Sequence, residues 1–258
     1  MARFCPLFSS SKGNCTYIAT PAGGILIDIG VSARRVETAL RERGIDPASL
    51  QAIFLTHEHE DHISGLRVFL DRYEIPVYAS AGTLDGVQCP LALLPQKMPD
   101  AVELDGMRVT AFDTPHDSRE SNGYCIETAD GRRIAIATDM GCITETVHRA
   151  IAGCDLVLIE SNHDLQMLRN GKYPFFLKER ILSDRGHLSN AACAEELIRL
   201  AQSGTTRFFL GHLSKENNLP QLAYTVARRA LQQAGFAERR DYLLQVALPE
   251  CKQDVTVF

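Results

Sequence analysis

The stretch Thr56-His57-Glu58-His59-Glu60-Asp61-His62 sets three histidines and an aspartate within six residues. The apolar run Ala52-Ile53-Phe54-Leu55 before it reads as a buried strand, and Ile63 to Leu70 after it reads as a helix. In an extended loop, His57 and His59 project to the same side at i and i+2 and can share one cation. Asp61 and His62 turn another way as the helix begins and can reach a second. Imidazole nitrogen and carboxylate oxygen suit Zn, Mn or Fe, with no need of thiolate. A solvated polar loop is the plainer reading. It is weakened by the concentration here of three of the chain's eight histidines. Glu58 and Glu60 are expected to face solvent.

The 258 residues suffice for a full hydrophobic core, and 45% hydrophobic with 23% charged residues is ordinary for a globular chain. A formal charge of −5 marks no global nucleic-acid binder, although a local basic patch can still serve. Met1-Ala2-Arg3-Phe4-Cys5-Pro6 lacks the apolar core of a signal peptide, and no apolar run reaches the roughly 18 residues of a membrane span. A cytoplasmic protein without membrane attachment is the expectation. The eight cysteines are irregularly spaced and form no Cys-x-x-Cys pair, which argues against a disulfide framework and a zinc knuckle. Cys5, Cys15, Cys89, Cys125, Cys154, Cys193 and Cys251 are expected as reduced, small core residues, and Cys142 as a packing residue close to a candidate ligand.

Strands are predicted at Phe4 to Phe8, Cys15 to Thr20, Gly24 to Gly30, Gln51 to Leu55, Val77 to Ala79, Met107 to Phe112, Gly123 to Thr128, Arg132 to Ala137, Asp155 to Ile159, Arg207 to Leu210, Tyr242 to Ala247 and Val255 to Phe258. Helices are predicted from Ser32 to Arg43, Thr144 to Ala152, Ser189 to Ala201 and Leu219 to Ala234. Residues 84 to 100 carry no clear period. Strands followed by helix occur in both halves, which points to two sheets packed face to face with helices outside. Asp28, His57, His116, Asp139, Glu160 and His212 all stand at or just beyond strand ends, where a rigid scaffold holds functional loops.

At these residues the chain resembles the metallo-β-lactamase superfamily. Thr-His-x-His-x-Asp-His after a strand is similar to its signature. Ile25-Leu26-Ile27-Asp28-Ile29-Gly30, Thr114-Pro115-His116-Asp117, Ala137-Thr138-Asp139 and Leu210-Gly211-His212-Leu213-Ser214 resemble its other motifs, in order. The resemblance implies an α/β (α+β) four-layer αββα sandwich formed by residues 1–258 as one domain. It implies two divalent metal ions (Zn, Mn or Fe). His57, His59 and His116 would hold one, Asp61, His62 and His212 the other, and Asp139 would bridge them. Asp61 is counted among the catalytic residues as well.

Within the superfamily the YycJ (WalJ) group is the nearest likeness. The grounds are Ser11-Lys12-Gly13-Asn14-Cys15, Glu160-Ser161-Asn162-His163-Asp164, Gly171-Lys172-Tyr173-Pro174, Gly186-His187-Leu188-Ser189-Asn190 and Gly211-His212-Leu213-Ser214 with Glu216-Asn217-Asn218. That likeness implies a phosphodiesterase, a DNA exonuclease acting from the 5′ end, with DNA rather than RNA as substrate. Metal-bound hydroxide would be the nucleophile. His187 resembles the loop histidine of tRNA 3′-processing relatives and would assist the leaving group, with Glu160 orienting it. A polar residue at a helix start is the plainer reading of His187.

Other positions read two ways. Asp28 can orient a ligating histidine or brace a turn. His163 with Asp164 can touch substrate or cap a helix. Lys12 can meet a phosphate beside the amides of Ser9 to Asn14, or sit in a plain hairpin turn. From Arg169 to Arg185, five cations stand against Glu179 and Asp184, with Tyr173, Phe175 and Phe176 between them. Lys172, Tyr173, Lys178 and Arg180 would then lie on a single-stranded nucleic-acid track; a solvated flap whose aromatics cover the core is the other reading. The metal donors alone do not choose the reaction. A thioester, lactone or β-lactam hydrolase, a small cyclic phosphodiesterase or a non-catalytic binding protein remain as alternatives.

Overall fold

The computed structural model describes residues 1–87, 96–251 and 255–258. With strands numbered in chain order, one sheet collects Arg3–Phe8 (β1), Cys15–Thr20 (β2), Gly23–Ile27 (β3), Leu50–Phe54 (β4), Val77–Ala79 (β5), Gln96–Lys97 (β6) and, on its edge, Thr256–Val257 (β14). The other collects Val102–Leu104 (β7), Met107–Asp113 (β8), Asn122–Thr128 (β9), Arg133–Ala137 (β10), Leu156–Glu160 (β11), Arg207–Gly211 (β12) and Leu243–Val246 (β13). Each sheet is mixed. The β3–β4–β5 and β10–β11–β12–β13 pairings are parallel, while β1–β2–β3 and β7–β8–β9–β10 are antiparallel.

The strands are apolar on both faces because they are covered on both faces. Phe4, Ile25 and Phe54 of the first sheet meet Ile126, Ile136, Leu158 and Phe209 of the second in one central core. On its outer side the first sheet packs Leu7, Leu26 and Ile53 against the helices Ala33–Arg41 (α1) and Leu66–Leu70 (α3). The second packs Ala135, Val157 and Phe208 against Glu145–Ile151 (α5), Asn190–Gln202 (α8) and Pro220–Gln233 (α9). The result is the expected αββα order of layers.

Four short helices complete the described elements: Glu60–Ile63 (α2), Ala81–Gly86 (α4), Leu165–Asn170 (α6) and Phe175–Leu182 (α7). The helix expected over Ile63 to Leu70 is broken. Ile29 donates to the His62 carbonyl at 2.8 Å and Gly65 to the Ile29 carbonyl at 2.9 Å, so the chain is tied to the end of β3 between α2 and α3. The segment from Arg169 to Arg185, read as a substrate track or a solvated flap, contains the end of α6 and all of α7. Asp164 caps α6 by accepting from the Gln166 and Met167 amides, whereas Ser32 begins α1 without a side-chain cap bond. Cys5, Cys15, Cys154 and Cys193 are buried and free as expected; Cys125 and Cys251 are only half-buried, and Cys89 lies outside the described residues.

Candidate metal centre

The centre sits beyond the carboxyl ends of the parallel strands of both sheets. From the first sheet come Asp28, just after β3, and His57, His59, Asp61 and His62, after β4; from the second come His116 after β8, Asp139 after β10, Glu160 at the end of β11 and His212 after β12. Asp28, Asp139 and His212 all take positive φ, at 62°, 59° and 54°. Left-handed backbone costs a non-glycine residue energy, and here it turns each side chain out of its strand toward one point. Gly30 makes room for the histidine loop. A Cβ there would come within 1.6 Å of the Asp61 carbonyl oxygen.

Thr56 and Asp28 set the imidazoles. The Thr56 hydroxyl lies 2.9 Å from Asp28 Oδ2 and 3.0 Å from His57 Nδ1, and His62 Nδ1 lies 2.7 Å from the same Asp28 oxygen. This network gives the Nδ1 atoms of His57 and His62 acceptors for a proton and turns both Nε2 atoms toward the centre. His116 Nδ1 donates to the Gly186 carbonyl at 3.1 Å with the same consequence. His57 Nε2 then stands 2.9 Å from His59 Nδ1, which stands 3.3 Å from His116 Nε2. Three ring nitrogens converge there. On the other side, His62 Nε2 lies 3.5 Å and His212 Nε2 3.3 Å from Asp61 Oδ2. Asp139, 1% exposed, lies between the groups, and its Oδ2 has no hydrogen-bond partner.

These residues fit divalent cations. His57, His59 and His116 can hold one ion, as can Asp61, His62 and His212; His57, His62 and Asp139 link the two sets. The charges agree. Burial pushes Asp61 and Asp139 up, but the neighbouring imidazoles overcome it and hold both carboxyls below their usual range. Burial pushes His57 and His116 down. Burial also opposes charge on His212, yet Asp139, Asp61 and Glu160 outweigh it and push it up to about 10.

His187 lies at the rim, its ring 5.2 Å from His116 and 5.3 Å from His212. Its Nδ1 is 2.8 Å from Glu160 Oε1, the oxygen that also stands 2.9 Å from His212 Nδ1. The other Glu160 oxygen accepts from the Met140 amide at 2.9 Å. Glu160 is thus fixed on several sides, and the two imidazoles hold it down to about 2 against the effect of burial.

The remaining expectations divide. Lys12 and Lys172 are exposed and Tyr173 half-buried, as substrate contact requires. Lys178 donates to the Arg169 carbonyl at 2.7 Å and keeps its charge unpaired among the described residues, whereas Arg180 is paired with Asp117. His163 is 1% exposed and presents no surface to a substrate. Phe175 and Phe176 are 77% and 74% exposed and do not cover the core. Glu58 does not face solvent freely, since it accepts from the Arg119 amide at 2.9 Å. Cys142 belongs to none of the metal-capable groups among the described residues. Sequence reasoning placed Asn14 in the loop Ser9 to Asn14 and missed its side chain's contact with the centre, where Nδ2 stands 3.1 Å from His62 Nε2. It also missed Arg185, which donates to the His116 carbonyl at 2.7 Å. Neither has a signal beyond its place in a local motif.

This chain belongs to the β-lactamase superfamily, whose domain matches residues 24–213. The fold is that of the metallo-β-lactamases. YhfI of Bacillus subtilis, a metallo-β-lactamase fold protein, superposes with a TM-score of 0.73 at 14% identity, covering 97% of this chain and 98% of that one. Within the superfamily the chain is YycJ-like. Exodeoxyribonuclease YycJ of Bacillus anthracis is 34% identical over 239 residues, 90% of this chain and 90% of that protein. Exodeoxyribonuclease WalJ of Streptococcus pneumoniae is 32% identical over 262 residues, 98% of this chain and 97% of that protein. No helix among the described residues is long and apolar enough to cross a membrane.

Proposed function

We propose that residues 1–258 form one cytoplasmic domain that works as a two-metal DNA exonuclease, removing nucleotides from the 5′ end. The broad class is metal-dependent hydrolase, and the finer reading is carried by His187. Its Nδ1 is engaged by Glu160 at 2.8 Å, so Nε2 remains to give a proton to a leaving oxygen at the rim. Glu160 raises the His187 pKa above that of free imidazole against the effect of burial, which keeps the acid form available. His57, His59 and His116 would hold one divalent ion and Asp61, His62 and His212 the other, with Asp139 available to both. Bound Zn, Mn or Fe would lower the pKa of a water molecule and offset charge growing on the phosphoryl oxygens. Asp28 fixes the His62 ring. The arm from Arg169 to Arg185, with its exposed Phe175 and Phe176, gives bases a stacking surface beside the centre. The names of the two long relatives support the same chemistry.

The test uses purified protein with Mn or Zn and end-labelled single- and double-stranded DNA, RNA and a thioester. DNA is expected to shorten from its 5′ end, RNA to react far more slowly, and His59→Ala to be inactive. Thioester hydrolysis with every nucleic acid left intact would replace the nuclease by a hydrolase of another class.

A further inference from the structure

A cavity of about 350 Å³ opens between the loop Ser9 to Asn14 and the loop that follows His212. That volume is at the small end of the range for small-molecule sites, about 300–1,000 Å³. Both loops are anchored on the candidate metal centre. Ser9 Oγ accepts from the His212 amide at 2.9 Å, and Asn14 closes its loop beside His62. The cavity therefore lies on the Asp61–His62–His212 side, away from Arg180 and Asp117.

The lining has two parts. One is cationic and polar: Lys12, Lys215 and Ser11. Neither lysine has an ion-pair or hydrogen-bond partner for its ammonium among the described residues. Ser11 Oγ accepts from Asn162 Nδ2 at 3.1 Å, which leaves the hydroxyl proton to be donated. The other part is apolar: Val31, Pro249 and the Tyr173 ring. Arg35 also lines the cavity, but its charge is already within 3.7 Å of Glu250 and its guanidinium lies over Phe8. Glu216 on the rim keeps the pocket from being uniformly cationic and offers an acceptor to a hydroxyl or a base amino group.

We propose that this cavity holds the 5′-terminal nucleotide of the substrate strand, with the terminal phosphate between Lys12, Lys215 and the Ser11 hydroxyl and the base against Tyr173. The inference rests on the nuclease reading and adds what makes the action exonucleolytic. With that nucleotide seated, its 3′ linkage faces the metal donors. The oxygen of water then bonds to phosphorus and releases a proton to solvent, the bond from phosphorus to the terminal nucleotide's O3′ breaks, and O3′ takes a proton from His187, which solvent reprotonates. The released mononucleotide keeps its original 5′-phosphate and gains a 3′-hydroxyl. The shortened strand keeps the attacked phosphate as a new 5′-phosphate, so each turnover recreates the group the pocket recognises.

The experiment compares 5′-phosphorylated and 5′-hydroxyl strands of one sequence, with bis(p-nitrophenyl) phosphate as a diester lacking any terminal phosphate. Wild type is expected to favour the phosphorylated end by roughly tenfold, the order of one charge-assisted hydrogen bond. In Lys12→Ala/Lys215→Ala the ratio should fall toward one, and in Lys12→Arg it should survive; metal content and melting temperature check that each variant folds. 5′-dAMP should compete with the strand in wild type, and deoxyadenosine should not. Equal rates on both ends in wild type, or an unchanged ratio in the double variant, overturn the pocket while leaving the nuclease intact. Competition by 5′-dAMP without end preference overturns it too, since the pocket then takes only free nucleotide. Hydrolysis of the nitrophenyl diester with all DNA untouched overturns the nuclease reading and this inference with it.

Discussion

His163 and His212 are equally buried, each 1% exposed, yet they differ in charge preference. Carboxylates surround His212 and push it up to about 10. His163 has no hydrogen-bond partner on either ring nitrogen, and burial drives it down to about 4. A folded pKa below the unfolded value of about 6.5 means that the unfolded chain binds the proton first. The contribution is therefore complete above pH 6.5 and is lost as pH falls toward 4. His163→Leu removes this titration. Urea unfolding in the presence of chelator should show wild type losing about 2–3 kcal/mol more than the variant between pH 7 and pH 4.5. A pH-independent difference between the two proteins would mean that His163 finds a partner in solution.

The arm made by α6 and α7 shows how an element is held without a hydrophobic stripe. It lands on Gly141, where a Cβ would come within 2.2 Å of the Ser183 carbonyl oxygen. Arg185 then ties it to the His116 carbonyl, and Arg180 to Asp117. Because His187 directly follows this landing, the arm sets the reach of the acid. Gly141→Ala should lift the arm and draw His187 away from Glu160. Turnover on DNA should fall by roughly 100-fold, the scale on which a small misplacement acts, while metal content stays at the wild-type level. Loss of the metals in this variant would show that the arm supports the centre itself. The arm was also where sequence reading failed. Strands such as Leu156–Glu160 were legible because the sandwich buries both their faces, and they read as continuous apolar runs. The seven candidate donors were legible because they recur at strand ends within short motifs. The helices of the arm were not, since backbone contacts and paired arginines leave no period in the sequence. Arg180 looked like a free cation for the same reason: nothing local announces Asp117 as its partner.

At the scale of the whole molecule, the centre adds to what joins the two sheets, which meet through their apolar core and through polar contacts such as Tyr124 to the Leu55 carbonyl and the Asn122 amide to the Thr56 carbonyl. His57, His59, Asp61 and His62 come from one sheet, and His116, Asp139 and His212 from the other. A cation held by both sets binds the folded state and has no comparable site in the unfolded chain, so its binding free energy adds to stability. Its removal also leaves the buried Asp139 carboxylate with only the neighbouring imidazoles to offset its charge. Free metal at about 1,000 times its dissociation constant contributes about 4 kcal/mol, and each kcal/mol moves the melting temperature of a domain this size by about 2–4 °C. Chelation should therefore lower the melting temperature by about 8–16 °C, and added Zn or Mn should restore it. Asp139→Ala separates this from a general effect of the chelator, because it removes the carboxylate proposed to serve both ions and should narrow the gap between chelated and metal-loaded protein. Unchanged melting in wild type, with metal analysis showing the ions gone, would mean that the two sheets hold together without them.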